Sequence, residues 1–392
     1  MDLLKKYRAF LFLVLVTVIS FVIANQIRVA NGGAFVSGVM YFRYLGYLFI
    51  ALLVFRIGVK TKLFIIHNIA MIVTIFIILE IVFYSLLGAP TRQNKGFKMP
   101  DLDETDIQRY IGYVPGADTV INDVFVVEGD TSFNVDYSID KYRKRITPRI
   151  ERSENSEYAL FFGCSIAFGY GLEDDETIPY YYQLNGDIAS YNFAYNGHGT
   201  NHVAARLEQG DLNEQVNEKS GKAFYLFFWD HIARSVGTMK RHTSWLHFAP
   251  YYYMENDSLM RDRMFKDGRP ITSYFYESLY QSSILEYFNV DFPLSLSEKH
   301  FDLVAEMIKY SKDHYAQQFG NHEFYTVIMP TYSEQNPEGM KSFIEAVERK
   351  GVDVIDLSNE IDYGSKYTLK HDSHPNAFFT KIFSEKLHNK IK

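Results

Sequence analysis

Hydrophobic positions follow two regimes along the 392 residues. Up to about residue 88 they come in long runs. Ala9 to Ala24 carries no charge and follows Lys5, Lys6 and Arg8. Tyr44 to Phe55 is bracketed by Arg43 and Arg56, and reaches spanning length if both arginines snorkel toward the interfaces. Leu63 to Leu87 is long enough despite His67, Asn68 and Glu80. The pattern predicts three transmembrane helices within 1–88. A cleaved signal peptide is the rival for the first run, but its small-residue cleavage site is poor and further apolar runs follow at once. With Lys5, Lys6, Arg8, Lys60 and Lys62 in the cytoplasm, the remainder faces outward, although Arg92, Lys95 and Lys98 oppose that bias. Glu80 is expensive in lipid and marks a functional candidate. The plainer expectation is that it faces the other helices, protonated or paired with a polar group such as His67 or Asn68.

Past residue 88 the periodicity shortens. Pro90, Gly96 and Pro100 among charges read as a linker, and Val120–Val127 with Ser132–Ser138 as a small β-rich lead-in, together 89–150. Residues 151–392 then alternate. Strands are expected at Tyr158–Gly163, Ala189–Ala194, Ala223–Trp229, Glu323–Met329 and Val352–Leu357. Helices are expected at Asp175–Leu184, from Thr200, and at Ser297–Gln318, Lys341–Lys350 and Asn376–Ile391. Such alternation predicts an α/β three-layer sandwich with a mainly parallel sheet, whose sites lie at the carboxyl ends of the strands. About 231–296 breaks the pattern with an aromatic-rich insertion, expected over the active-site face. Its rings suit stacking on sugars or the packing of a lid.

Composition alters this picture little. Charged residues make up 22% and the net charge is −7, with no basic stripe, which argues against nucleic acid as a partner. Cys164 is the sole cysteine, so neither an intrachain disulfide nor a cysteine-based zinc finger can form.

Three motifs carry candidate chemistry. In Phe161-Phe162-Gly163-Cys164-Ser165 a buried strand ends in glycine and a serine follows, lifting its hydroxyl out of the sheet. Serine needs a base to become a nucleophile. A phosphate-binding turn is the competitor, but no Gly-Lys-Ser/Thr follows. Asp372-Ser373-His374-Pro375-Asn376 supplies a general base and an acid to orient it; equally, Asp372 or Ser373 could cap the last helix. Asn192-Phe193-Ala194-Tyr195-Asn196-Gly197 again follows a strand and opens a helix, so the Gly197 N–H could meet a developing oxyanion, or the glycine could simply serve a tight turn.

Together these blocks resemble the SGNH (GDSL-like) hydrolase family over about residues 155–391. Gly163-Cys164-Ser165 matches its Gly-Asp-Ser block, Gly197 its second block, and Asp372 with His374 its last. The resemblance implies a serine esterase with catalytic Ser165, Asp372 and His374, an oxyanion hole from the N–H groups of Ser165 and Gly197, and neither cofactor nor metal. Two departures stand out. Cys164 replaces the usual aspartate, and the strand Leu226-Phe227-Phe228-Trp229-Asp230-His231 lacks the third-block asparagine. Asp230, ionised, cannot donate, so the third donor is expected from Asn196 or Asn201, or is absent.

The expected activity is hydrolysis of short acyl esters on an envelope glycan or lipid-linked saccharide, beside the bilayer. O-acyl transfer, with a partner membrane acyltransferase supplying the donor, and a catalytically idle glycan-binding module are the alternatives. A zinc site from His198, His202, His371, Asp372 and His374 has suitable ligands but no established spacing.

Overall fold

The computed structural model describes residues 2–30, 37–87, 110–154, 156–330 and 336–392. The linker expected near 89–100, with Arg92, Lys95 and Lys98, lies outside them. The chain divides into two compact units, one of Met1–Arg92 with Ser278–Val290, the other of Gln93–Glu277 with Asp291–Lys392.

The first unit holds α1 (Asp2–Ala30), α2 (Ser37–Thr61) and α3 (Phe64–Leu87). Each contains 23 or 24 residues apolar enough to cross a membrane. At 1.5 Å per residue that is about 35 Å, enough for a hydrocarbon layer of about 30 Å. Few of their side chains are buried, and Leu11, Phe12, Ile72 and Phe76 are among the exposed ones. In water that surface would be untenable. Gly46 lets α1 approach α2, since a Cβ there would stand 2.7 Å from the Phe21 ring. Glu80 is buried but pairs with neither His67 nor Asn68; His67 lies against the Phe55 ring at 4.3 Å. Its partners are Tyr44, Ser282 and Ser283.

The second unit is an α/β sandwich preceded by a hairpin, β1 (Thr119–Val127) and β2 (Asp130–Ile139). The main elements then run β3 (Glu157–Phe162), α4 (Ser165–Phe168), α5 (Ile178–Gln183), β4 (Ile188–Asn192), α6 (Thr200–Glu208) and β5 (Gly221–Phe227). The insertion follows as α7 (Asp230–Val236), α8 (Met239–Ser244), the hairpin β6 (Pro250–Glu255) and β7 (Ser258–Met264), α9 (Phe265–Gly268) and α10 (Pro270–Leu279). Then α11 (Ser283–Tyr287) belongs to the first unit. The chain closes through α12 (Glu298–Phe319), β8 (Phe324–Ile328), α13 (Pro337–Arg349), β9 (Asp353–Asp356) and α14 (Ala377–Ile391).

The five-stranded sheet has the order β4-β3-β5-β8-β9, every pair parallel. Alternation along each strand assigns the layers. Tyr158, Leu160, Phe162, Tyr225 and Phe227 face one core with α6, α12 and α13. Ala159, Phe161, Phe224 and Leu226 face the other, which α4, α5, α14 and the β1–β2 hairpin cover. Both faces are buried, so the strands read as near-continuous apolar runs. Connections from β3 and β5 leave in opposite directions, which opens a crevice at their carboxyl ends.

Candidate active site

That crevice is where the Gly163–Ser165 turn emerges. β3 ends at Phe162, and Gly163 follows with φ +154; a Cβ there would stand 2.9 Å from Ala167 Cβ and 3.1 Å from the Leu226 carbonyl. Only glycine allows so close an approach. Cys164 is extended and precedes Ser165, the first residue of α4. Ser165 is buried, with 9% of its surface exposed.

His374 comes from the loop before α14. Its Nε2 stands 2.8 Å from Ser165 Oγ, and its Nδ1 stands 2.5 Å from Asp372 Oδ1. The same carboxylate oxygen accepts the His374 backbone N–H at 2.7 Å, which the two-residue spacing makes possible. Burial opposes ionisation of Asp372, but the hydrogen bonds and charge of His374 outweigh it and hold the carboxyl below the usual carboxylate range. The loop is braced: Tyr363 Oη donates to the Ser373 carbonyl, and Leu369 N–H to that of His374. Asn376, not Asp372 or Ser373, caps α14 through the Phe379 N–H. Asp372 is therefore free for the histidine.

The Gly197 loop supplies the third side. Gly197 has φ +77, and a Cβ would stand 2.9 Å from Trp245 Nε1, which donates to the Gly197 carbonyl. With the carbonyl held by Trp245, the amide has no acceptor among the described residues. Asn201 is fully buried, and its amide donates to the Pro250 carbonyl at 2.8 Å. Asn196 Oδ1 is buried with no hydrogen-bond partner among the described residues.

Asp230 is engaged by two arginines. Arg234 Nε donates to one oxygen at 2.7 Å and Arg241 Nε to the other at 2.9 Å. Arg234 also donates to the His198 carbonyl, at 2.9 Å, and lies close enough to the Cys164 side chain to interact with it. A guanidinium thus stands near the Gly163–Ser165 turn. Sequence spacing marks Arg234 only as i+4 to Asp230, an ordinary helix pair.

Support for the turn was also missed. Arg145 is fully buried; its Nε donates to Asp174 at 2.9 Å and its Nη atoms to the carbonyls of Phe168, Gly169 and Leu172 at 2.9, 2.6 and 2.6 Å. Asn192 Nδ2 donates to the Ala167 and Phe168 carbonyls. Tyr137 Oη accepts the Gly171 N–H and donates to Asp123. The lead-in hairpin is therefore part of the site's frame. At the exit of α4 the carbonyls of Ala167, Phe168 and Gly169, which the helix itself leaves without intrahelical partners, are held by side chains.

The histidines divided among roles in the sequence separate in space. His198 and His202 stack at 4.0 Å and are buried, and burial pushes His198 down to about 3 and His202 well below the usual histidine range. His371 turns to Asp130, with its Nε2 2.7 Å from the carboxylate. Among the described residues no three His, Cys, Asp or Glu side chains group as a metal site would need.

No family model matches the chain, and no curated protein does. Solved structures do. A psychrotrophic esterase from Pseudoalteromonas sp. matches at 13% identity and TM-score 0.34, covering 60% of this chain and 97% of its own. An acetyl xylan esterase from Butyrivibrio proteoclasticus matches at 9% and 0.35, covering 64% and 66%. A carbohydrate esterase family 2 enzyme with a carbohydrate-binding domain, from Corynascus thermopiles (Myceliophthora fergusii), matches at 13% and 0.32, covering 63% and 68%. At such identities and TM-scores these names describe those proteins, and the chemistry of this chain rests on its own geometry.

Proposed function

We propose that the chain is a membrane-anchored serine esterase of the SGNH type, with Ser165 as nucleophile, His374 as general base and Asp372 as its orienter. The observation that carries this is the continuous chain from Ser165 Oγ through both nitrogens of His374 to Asp372, at 2.8 and 2.5 Å. His374 Nε2 takes the serine proton as Oγ attacks the ester carbonyl. The N–H groups of Ser165 and Gly197 hold the oxyanion. Collapse expels the alcohol, protonated by His374, and leaves acyl-Ser165. Water, deprotonated by the same histidine, then releases the acid and regenerates the serine.

The substrate class follows from location. A catalytic unit on a chain with three spanning helices, facing outward by the Lys5, Lys6, Arg8, Lys60 and Lys62 bias, meets acylated envelope glycans or lipid-linked saccharides. Hydrolysis of p-nitrophenyl acetate and labelling by a fluorophosphonate are expected for the wild type and lost in Ser165→Ala. Equal activity of both proteins would overturn the assignment.

A further inference from the structure

The aromatic-rich insertion contains a piece that does not belong with the α/β unit. The chain leaves that unit after Glu277 and returns at Asp291, and Ser278–Val290 packs with the apolar helices instead. Its anchor is Glu80, in the last third of α3. Glu80 Oε1 accepts Ser282 Oγ at 2.5 Å, and Oε2 accepts the Ser283 N–H at 2.6 Å. Tyr44 Oη reaches both Glu80 Oε2, at 3.4 Å, and Ser283 Oγ, at 3.0 Å. These polar groups satisfy one another, which is what survival in hydrocarbon requires of them. One turn further along α3, the Phe83 ring meets Tyr287 at 4.8 Å and Phe288 at 5.2 Å.

We propose that Ser278–Val290 is a re-entrant, lipid-embedded element, with Tyr280, Tyr287 and Phe288 in the bilayer at one end of α3. The inference rests on reading α1–α3 as membrane spans. Whatever packs on Glu80 and Phe83 lies at their depth, and Glu80 is seven residues from the helix end at Leu87, about 10 Å at 1.5 Å per residue. That is the boundary zone of a layer about 30 Å thick, where aromatic side chains with one polar end concentrate. Tyr280, Tyr287 and Phe288 are 47%, 46% and 60% exposed, so they have room for acyl chains. Glu286 is the segment's one charged residue, and it is exposed. An occupant other than lipid would have to reach Phe288 alongside helices whose exposed side chains are mainly apolar.

The test uses the full chain in phosphatidylcholine–phosphatidylglycerol vesicles, with nitroxide labels at Tyr287→Cys or Phe288→Cys. Buried Cys164 is controlled by labelling the unsubstituted chain. Molecular oxygen and a water-soluble nickel chelate serve as relaxants. The expected result is preferential access of oxygen at 287 and 288, matching a label at Ile75→Cys in α3, and preferential access of the chelate at Asp257→Cys on the β6–β7 turn. In Glu80→Ala the labels at 287 and 288 are expected to lose their protection from the chelate. If 287 and 288 behave like 257 while 75 stays in lipid, the re-entrant element is refuted. If 75 is also aqueous, the membrane reading itself fails.

Discussion

Arg145→Met removes the hydrogen-bond donors that hold the exit of the nucleophile helix while keeping an apolar stem of similar length. Arg145 is fully buried and donates to Asp174 and three carbonyls. The substitution does not strip all of them bare. The Phe168 carbonyl keeps Asn192, the Gly169 carbonyl keeps the Leu172 N–H at 3.2 Å, and Asp174 keeps the Ser138 N–H. The Leu172 carbonyl loses its partner outright. Breaking one side of a buried charged network costs about 3–5 kcal/mol, and the surviving partners place this case near about 3 kcal/mol. With about 2–4 °C per kcal/mol for a domain of this size, the melting temperature should fall by about 10 °C. Melting in detergent, read by intrinsic fluorescence, gives the shift, and fluorophosphonate labelling at low temperature reports whether Ser165 is still presented. Arg145→Lys should recover little, because one ammonium cannot reproduce the fork. A methionine variant that melts within about 2 °C of wild type with unchanged labelling would refute the role given to Arg145, since a role of about 3 kcal/mol predicts a larger shift.

Three further outcomes follow from the same geometry. Asp372→Asn turns an amide toward His374 Nδ1 and favours the tautomer that cannot accept the serine proton, so kcat should fall by about 10²–10⁴ with KM little changed; an undiminished kcat would remove Asp372 from the relay. Gly197→Ala puts a side chain at φ +77, where it meets Trp245, and should displace the amide and lower kcat by up to about 10² at a stability cost of about 1–2 kcal/mol; full activity would free Gly197 from the oxyanion. Burial lowers His198 to about 3, and His202 and His231 lie well below the usual histidine range, so the native state excludes protons that the unfolded chain binds. That stabilisation is complete above about pH 6.5 and is lost as pH falls toward 3. The melting temperature should therefore drop between pH 7 and pH 4, and His198→Gln, which can still donate to the Tyr113 carbonyl, should drop less; coincident profiles would show that His198 does not contribute.

Much of the fold was legible because burial writes itself into periodicity. The run at 158–163 becomes β3, that at 189–194 becomes β4, and the 3.6-residue spacing of 297–318 becomes α12. Ser165 and His374 were legible as motifs because a turn that exposes a hydroxyl needs glycine, and a loop histidine beside an acid is uncommon. Arg145 was not: nothing local distinguishes a buried arginine from a solvated one. Nor was the fate of Asn201, whose amide is consumed by Pro250, 49 residues away. The expected pairing of Glu80 with His67 or Asn68 failed for a similar reason, since two of its partners, Ser282 and Ser283, lie some two hundred positions on.

By itself, then, the sequence determined what short-range physics controls: three apolar spans, alternating strands and helices, a serine after a glycine turn, and a histidine with its acid two residues before. Tertiary structure alone decided what depends on distant residues meeting. It brought Ser165 to His374 across 209 positions, set Arg145 against Asp174 and the carbonyls that follow α4, and moved Ser278–Val290 from the aromatic insertion to the membrane helices. Periodicity reports which face of an element is buried; it carries no information about which distant polar group will satisfy a buried donor or charge.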